Sequence, residues 1–323
     1  FNSDLLSNSK FKILLMIFFT TIILNFILNL ITSILNAFQK SASIGGISIL
    51  ANILFLATIS ILGEKINNDI VSIMLLFGVS SIASSLIYTF IFFLSHREFI
   101  PQKAFFNKKF SKKILTLGGD FFIIQIAVLL IFTVDNFIII QLLGPSQVSE
   151  YNIMFKLFSI FTISFNIILT PLWSAFTEAF VKKDILWIRK IIRFLNYTMI
   201  PIVILIAFMI KFHTAALNLW LSNSVQIQPE ISFVISLALF TIISIWNNIY
   251  AYFLNGIGST KLQIRTAVVG AFANVPLAIF FVKEMNLGLT GIVLSMCSSL
   301  IFFSILGPIE TFKILKKESV KCE

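Results

Sequence analysis

Three ionisable side chains, Asp120, Asp135 and Lys156, fall inside runs that are otherwise apolar. Such groups cost roughly 2.5–3.5 kcal/mol each at the centre of a membrane helix, so each needs a partner or a wet cavity. The turn between the two runs that carry them centres near residue 145. Asp135 precedes that turn by about ten residues and Lys156 follows it by about ten, so on antiparallel helices both lie roughly 10–15 Å from it. The pattern predicts a buried Asp135–Lys156 ion pair. It reads either as a staple between two helices or as an anion- or proton-sensitive site in a cavity.

Uncharged polar residues are arranged as well. Lys156, Ser159, Ile163, Asn166 and Thr170 follow 3-4-3-4 spacing, so one helix face is mostly polar, with Ile163 interrupting it. Asn25, Asn29, Thr32 and Asn36 sit at spacing 4-3-4, again on one face. Asn247, Asn248, Tyr250, Tyr252 and Asn255 give a later run a polar, aromatic end. Amide stripes suit a solvated cavity or hydrogen bonds to a carbohydrate. Bonds between helices, worth about 0.6–2 kcal/mol each, would use them equally well, and the tyrosines also suit anchoring at the membrane interface. Helix breakers fall nearby: Gly118 and Gly119 precede Asp120, Pro171 follows Thr170, and Pro276 interrupts a later run. A proline in a span frees a backbone carbonyl and permits bending, either as a static kink or as a hinge.

The elements that must position these residues are apolar. Hydrophobic side chains make up 58% of 323 residues and charged ones 12%, against about 45–50% and roughly 25% in soluble domains. The fold class expected is an all-α polytopic membrane protein. That excludes a secreted disulfide scaffold and ordinary nucleic-acid binding, and the net charge of +10 reads as loop charge. Cys297 lies in an apolar run and Cys322 in the polar tail, and the histidines are His96 and His213, so no metal site is expected. No GxxxxGK[ST], GxSxG or HExxH motif occurs. Nucleotide hydrolysis, a cofactor and an enzymatic function are therefore not expected.

A membrane helix needs about 20 mostly apolar residues. Nine stretches qualify: 13–36, 44–62, 71–94, 115–142, 151–170 (continuing as helix to about 180), 191–210, 231–254, 262–283 and 287–311. Lysine and arginine alternate between successive loops, and 18 of the 24 fall on one side. That side is then cytoplasmic, with the C-terminus on it and residue 1 outside. The organisation expected is a partial N-lobe of three spans at 1–94, a basic cytoplasmic linker at 95–113, a six-span C-lobe at 114–311 and a basic tail at 312–323. A start outside the membrane without an export signal implies a fragment lacking an odd number of upstream spans. Two six-helix lobes would make that number three.

Three segments carry a resemblance. They are Leu143-Gly144-Pro145-Ser146-Gln147-Val148-Ser149-Glu150-Tyr151 leading into Lys156-Leu157-Phe158, then Thr170-Pro171-Leu172-Trp173-Ser174-Ala175-Phe176-Thr177-Glu178-Ala179, and Leu254-Asn255-Gly256-Ile257-Gly258 with Lys261-Leu262-Gln263. With Ala37-Phe38-Gln39-Lys40, they resemble the Wzx-like O-antigen and capsule flippases of the multidrug/oligosaccharidyl-lipid/polysaccharide (MOP) exporter superfamily. The resemblance implies a MATE-like two-lobe architecture, here nine helices of an expected twelve. It also implies movement of undecaprenyl-diphosphate-linked oligosaccharide across the bacterial inner membrane by ion-driven alternating access. Expected partners are the lipid-linked oligosaccharide, membrane lipids, a coupling proton or sodium ion, and polysaccharide polymerase machinery. Lys156 would meet the diphosphate, and Asn25, Asn29, Asn36, Ser159, Asn166 and Asn247 the sugar hydroxyls, with Asp120 and Asp135 in the same cavity. Three alternatives stay open: a multidrug or metabolite cation antiporter using Asp120 and Asp135, a membrane glycan polymerase or ligase, and a non-transporting scaffold.

Overall fold

The computed structural model describes residues 8–66, 70–102, 107–221 and 228–320, and among these it is helical with no strand. Phe1, Lys103, Lys321 and Cys322 lie outside the described residues. In so apolar a chain each segment has to satisfy its own N–H and C=O groups, which an α-helix does. Nine candidate spans are found among the described residues. The protein is therefore a multi-pass membrane protein, with the nine spans expected from hydropathy.

The chain divides into two compact units, 1–106 and 107–323. The first holds α1 (Asn8–Leu28), α2 (Leu30–Ala37), α3 (Ser41–Ile66) and α4 (Ile70–Ser95). One expected span is thus two helices that break at Asn29. Its carbonyl takes both the backbone N–H and the hydroxyl of Thr32, at 3.0 and 2.7 Å, tightening the turn. α4 packs between α1 and α3. Gly78 lets α1 approach, since a Cβ there would lie 2.6 Å from the Thr21 hydroxyl. Ser84 donates to the Ile47 carbonyl at 2.6 Å, and Ile31, Leu35, Ile47 and Phe92 form a small core.

The second unit holds α5 (Lys108–Leu142), α6 (Pro145–Val181), α7 (Ile185–Leu221), α8 (Ile231–Gly256), α9 (Lys261–Ile279, continuing into a π turn at Phe280–Glu284) and α10 (Gly288–Val320). α5, α6, α7 and α10 run for 35, 37, 37 and 33 residues, well beyond the roughly 20 that cross a bilayer. The start of α5, the first turns of α7 and the end of α10 are rich in Lys and Arg, good helix formers that need no apolar surroundings. Asn107 caps α5 by accepting from the N–H groups of Lys109 and Phe110. Gly144, at φ +94°, turns the chain into α6, and Pro145 follows as its first residue.

α8 and α10 are the most enclosed elements. α10 lies against α8 and α9, while α8 also takes α6 and α7, and α5 packs on α9. Gly270 brings α9 and α10 together, because a Cβ there would sit 2.5 Å from the Ser299 carbonyl oxygen. Small residues at such contacts are how apolar helices gain packing in lipid, where burial alone drives nothing.

Candidate functional site

Asp135 is fully buried on α5. Tyr151 of α6 donates its hydroxyl to one carboxylate oxygen at 3.3 Å, and the Asn274 amide of α9 donates to the other at 3.2 Å. The same amide lies 3.3 Å from the Ile131 carbonyl, and Ser295 of α10 donates to the Asn274 Oδ1 at 2.9 Å. Three helices thus meet on one carboxylate, and Ser295 ties in α10 through Asn274.

The expected Asp135–Lys156 ion pair does not form. Among the described residues no ion pair reaches Asp135, and Lys156 is exposed. Helix geometry supplies the reason. Tyr151 faces the carboxylate, and Lys156 comes five residues later, about 140° further round at about 100° per residue. The depths differ too: Asp135 is level with Tyr151, and Lys156 lies five residues, about 7.5 Å, further along α6.

Lys156 instead shares its side of α6 with Ser159, Ile163 and Asn166, all of which line a cavity of about 390 Å³. α5, α8, α9 and α10 complete its wall, with Asn247, Asn248 and Ser244 from α8 and Gln263 from α9. The polar face read on α6 therefore does front a cavity, and Lys156 lies one turn before Ser159, outside the lining. Part of the stripe is used up between helices: Asn248 Nδ2 donates to Asn166 Oδ1 at 3.0 Å. Asn247 Nδ2 reaches the Leu300 carbonyl at 3.3 Å. Yet Asn247 Oδ1, Ser244 Oγ and Gln263 Oε1 are buried without a hydrogen-bond partner. Buried polar atoms are rarely left so; three in one cavity mark a place where a ligand or water completes the structure.

The other residues singled out in the sequence lie elsewhere. Asp120 accepts from the Thr260 hydroxyl at 2.6 Å, tying α5 to the start of α9, and it lines no part of the cavity. Asn25 accepts from Ser81 at 3.1 Å as an α1–α4 contact, Asn29 is exposed, and Asn36 Oδ1 is unpartnered in the first unit. The break at Asn29 also means that Asn25 and Asn36 do not share one continuous helix. Gly118 and Gly119 are exposed in an unbroken α5, where an added Cβ would meet nothing within 4 Å. α6 runs through Pro171, whereas α9 gives way to the π turn four residues after Pro276. Tyr151, Asn274, Ser295, Ser244 and Gln263 were not read as site residues. The cue for Asn274 was present, a lone amide inside an apolar run.

Two of the recognisable motif segments bind each other. Thr177 donates to the Gly256 carbonyl at 2.6 Å, and a Cβ on Gly256 would lie 2.9 Å from the Trp173 carbonyl oxygen. Trp173 also meets Tyr252 edge-on, with ring centroids 5.5 Å apart.

The arrangement of helices is that of the MATE-type transporters of the MOP superfamily. MATE in its bent conformation matches with a TM-score of 0.70 at 15% identity, over 85% of this chain and 62% of that one. A MOP superfamily transporter from Pyrococcus furiosus matches at 0.67 and 15% identity, over 84% and 62%. The chain thus spans 62% of the length of these solved structures. A Yersinia pseudotuberculosis protein named "Putative O-antigen export protein" is 25% identical over 302 residues, which is 92% of this chain and 67% of that protein. The model of the family described as polysaccharide biosynthesis protein matches residues 1–177, and the chain belongs to that family.

Proposed function

We propose that the protein is a flippase that carries undecaprenyl-diphosphate-linked oligosaccharide across the bacterial inner membrane for O-antigen or capsule synthesis. Transport follows alternating access of two lobes, and the C-terminus is cytoplasmic. The observation that carries this reading is the cavity within the second unit, whose wall holds three unpartnered buried oxygens inside an otherwise apolar bundle. Lys156, one turn from that wall, supplies a positive charge for the diphosphate, and the polyprenyl tail stays in lipid. Asp135, with Tyr151 and Asn274 around it and no basic partner among the described residues, is the group that takes up the coupling proton or sodium ion. Polysaccharide polymerase machinery receives the translocated unit.

A cation antiporter would use the same carboxylate, and the missing basic partner of Asp135 favours that second reading. The cavity argues against it, since no acidic side chain lines it to meet a cationic substrate. The test is complementation with the complete gene. In a strain lacking its O-antigen flippase, the flippase restores surface glycan and leaves drug sensitivity unchanged. Restored drug resistance without glycan would establish the antiporter instead.

A further inference from the structure

Building on the carrier reading above, we infer that the cavity of the second unit is a subsite for an uncharged sugar ring, leaving the substrate's anionic end to Lys156. None of its lining residues is ionisable. An acidic sugar placed there would be a desolvated anion without a partner, which is costly. It would also approach the Asp135 carboxylate, one helical turn beyond the lining residue Ile131.

Much of the wall's donor capacity is already used within the protein. Ser159, Thr241, Thr266 and Ser299 donate their hydroxyl protons to carbonyls of their own helices. The amides of Asn247 and Asn248 donate to Leu300 and Asn166. What remains free includes the acceptors Asn247 Oδ1 and Gln263 Oε1, the Ser244 hydroxyl, which can accept or donate, and the lone pairs of those hydroxyls. Such a wall suits a neutral ligand rich in hydroxyl and amide groups. It offers phosphate and carboxylate no cation to offset their desolvation. Phe155 and Phe240, 5.7 Å apart, together with Phe158 and Phe303, offer apolar faces for the C–H side of a pyranose ring. The volume of about 390 Å³ lies within the usual range of small-molecule sites. A lipid chain would fill it but leave every one of those polar atoms unpaired.

The subsite is tested on the purified full chain with three probes: N-acetylglucosamine, glucuronic acid and inorganic pyrophosphate. Ligand-observed NMR measures binding, and thermal unfolding measures stability. N-acetylglucosamine binds the wild type about tenfold more tightly than glucuronic acid. Gln263→Met with Ser244→Ala weakens its binding by about tenfold, as two lost hydrogen bonds imply. Because these two oxygens bond nothing in the unliganded protein, the double variant keeps or raises Tm. Pyrophosphate binding is unaffected by it and is lost in Lys156→Ala. Equal binding of the two sugars overturns the subsite, as does a double variant that binds N-acetylglucosamine normally. If the complete gene restores surface glycan while the two sugars bind alike, only the subsite fails. Selective sugar binding without glycan restoration overturns the carrier reading, and with it the assignment of the cavity to a transported substrate.

Discussion

The Tyr151 hydroxyl donates to Asp135 at 3.3 Å across the α5–α6 hairpin, while Lys156, on the same helix as Tyr151, is exposed. The carboxylate is therefore held by neutral groups, and the cation is free for another task. The two charges do separate jobs.

Asp135→Asn retains an oxygen that accepts from Tyr151, so the variant should unfold within a few degrees of the wild type. Asp135→Leu should cost about 1–3 kcal/mol or more, because it strands the buried Tyr151 hydroxyl and the Asn274 amide. Both should abolish ion-driven accumulation of substrate in proteoliposomes. Thermal unfolding and transport assays in parallel separate the two effects.

Exchanging the charges, Asp135→Lys with Lys156→Asp, should not restore function. It puts an ammonium into a site whose remaining neighbours include the donors Tyr151 and Asn274, and so leaves a buried charge unpaired. Loss of folded protein, measured by size-exclusion chromatography in detergent, is the expected result. A well-folded, active double variant would restore the staple reading.

Lys156→Ala should leave stability within about 0.5 kcal/mol, as for an exposed side chain without an ion pair. It should nevertheless abolish surface glycan at normal expression. Lys156→Arg should recover part of the activity, since the charge is kept and only its shape changes. Glycan display assayed by phage sensitivity or silver-stained gels reads both.

Two pairs of glycine substitutions should behave in opposite ways. Gly118→Ala and Gly119→Ala meet open space and should stabilise α5 by up to about 1 kcal/mol each. If this stretch flexes during the cycle, glycan display falls while Tm holds or rises. Gly270→Ala and Gly270→Val push a Cβ towards the Ser299 carbonyl and should destabilise the protein by about 1–3 kcal/mol, the valine more. Thermal unfolding of the four variants checks the signs.

Element type and number were legible because apolar length is a strong signal in a chain with so few charges. The polar face of α6 was legible too, since Ser159 and Asn166 recur with the helix period and do line the cavity. Partner choice was not. Counting from the turn put Asp135 level with Lys156, but the register of α5 and α6 sets it opposite Tyr151, and Lys156 lies further along and round the helix. The Asn25–Asn36 stripe failed for a local reason, as hydrogen bonds to the Asn29 carbonyl end one helix and begin another. Gln263 and Asn274 come from α9, which joins α5 and α6 only after the fold is complete. An amide in an apolar run marks Asn274 as worth placing, but no local pattern names its partners.

The Thr177–Gly256 bond has a consequence for how such proteins diversify. The most recognisable residues of the chain splice α6 to α8, while Ser244 and Asn247 sit one or more turns up the same helix α8, facing the cavity. Cargo preference can therefore change by substitution at those positions without touching the splice. Two relatives that share the Pro171 and Gly256 segments would be expected to share a lobe, and need not share a sugar.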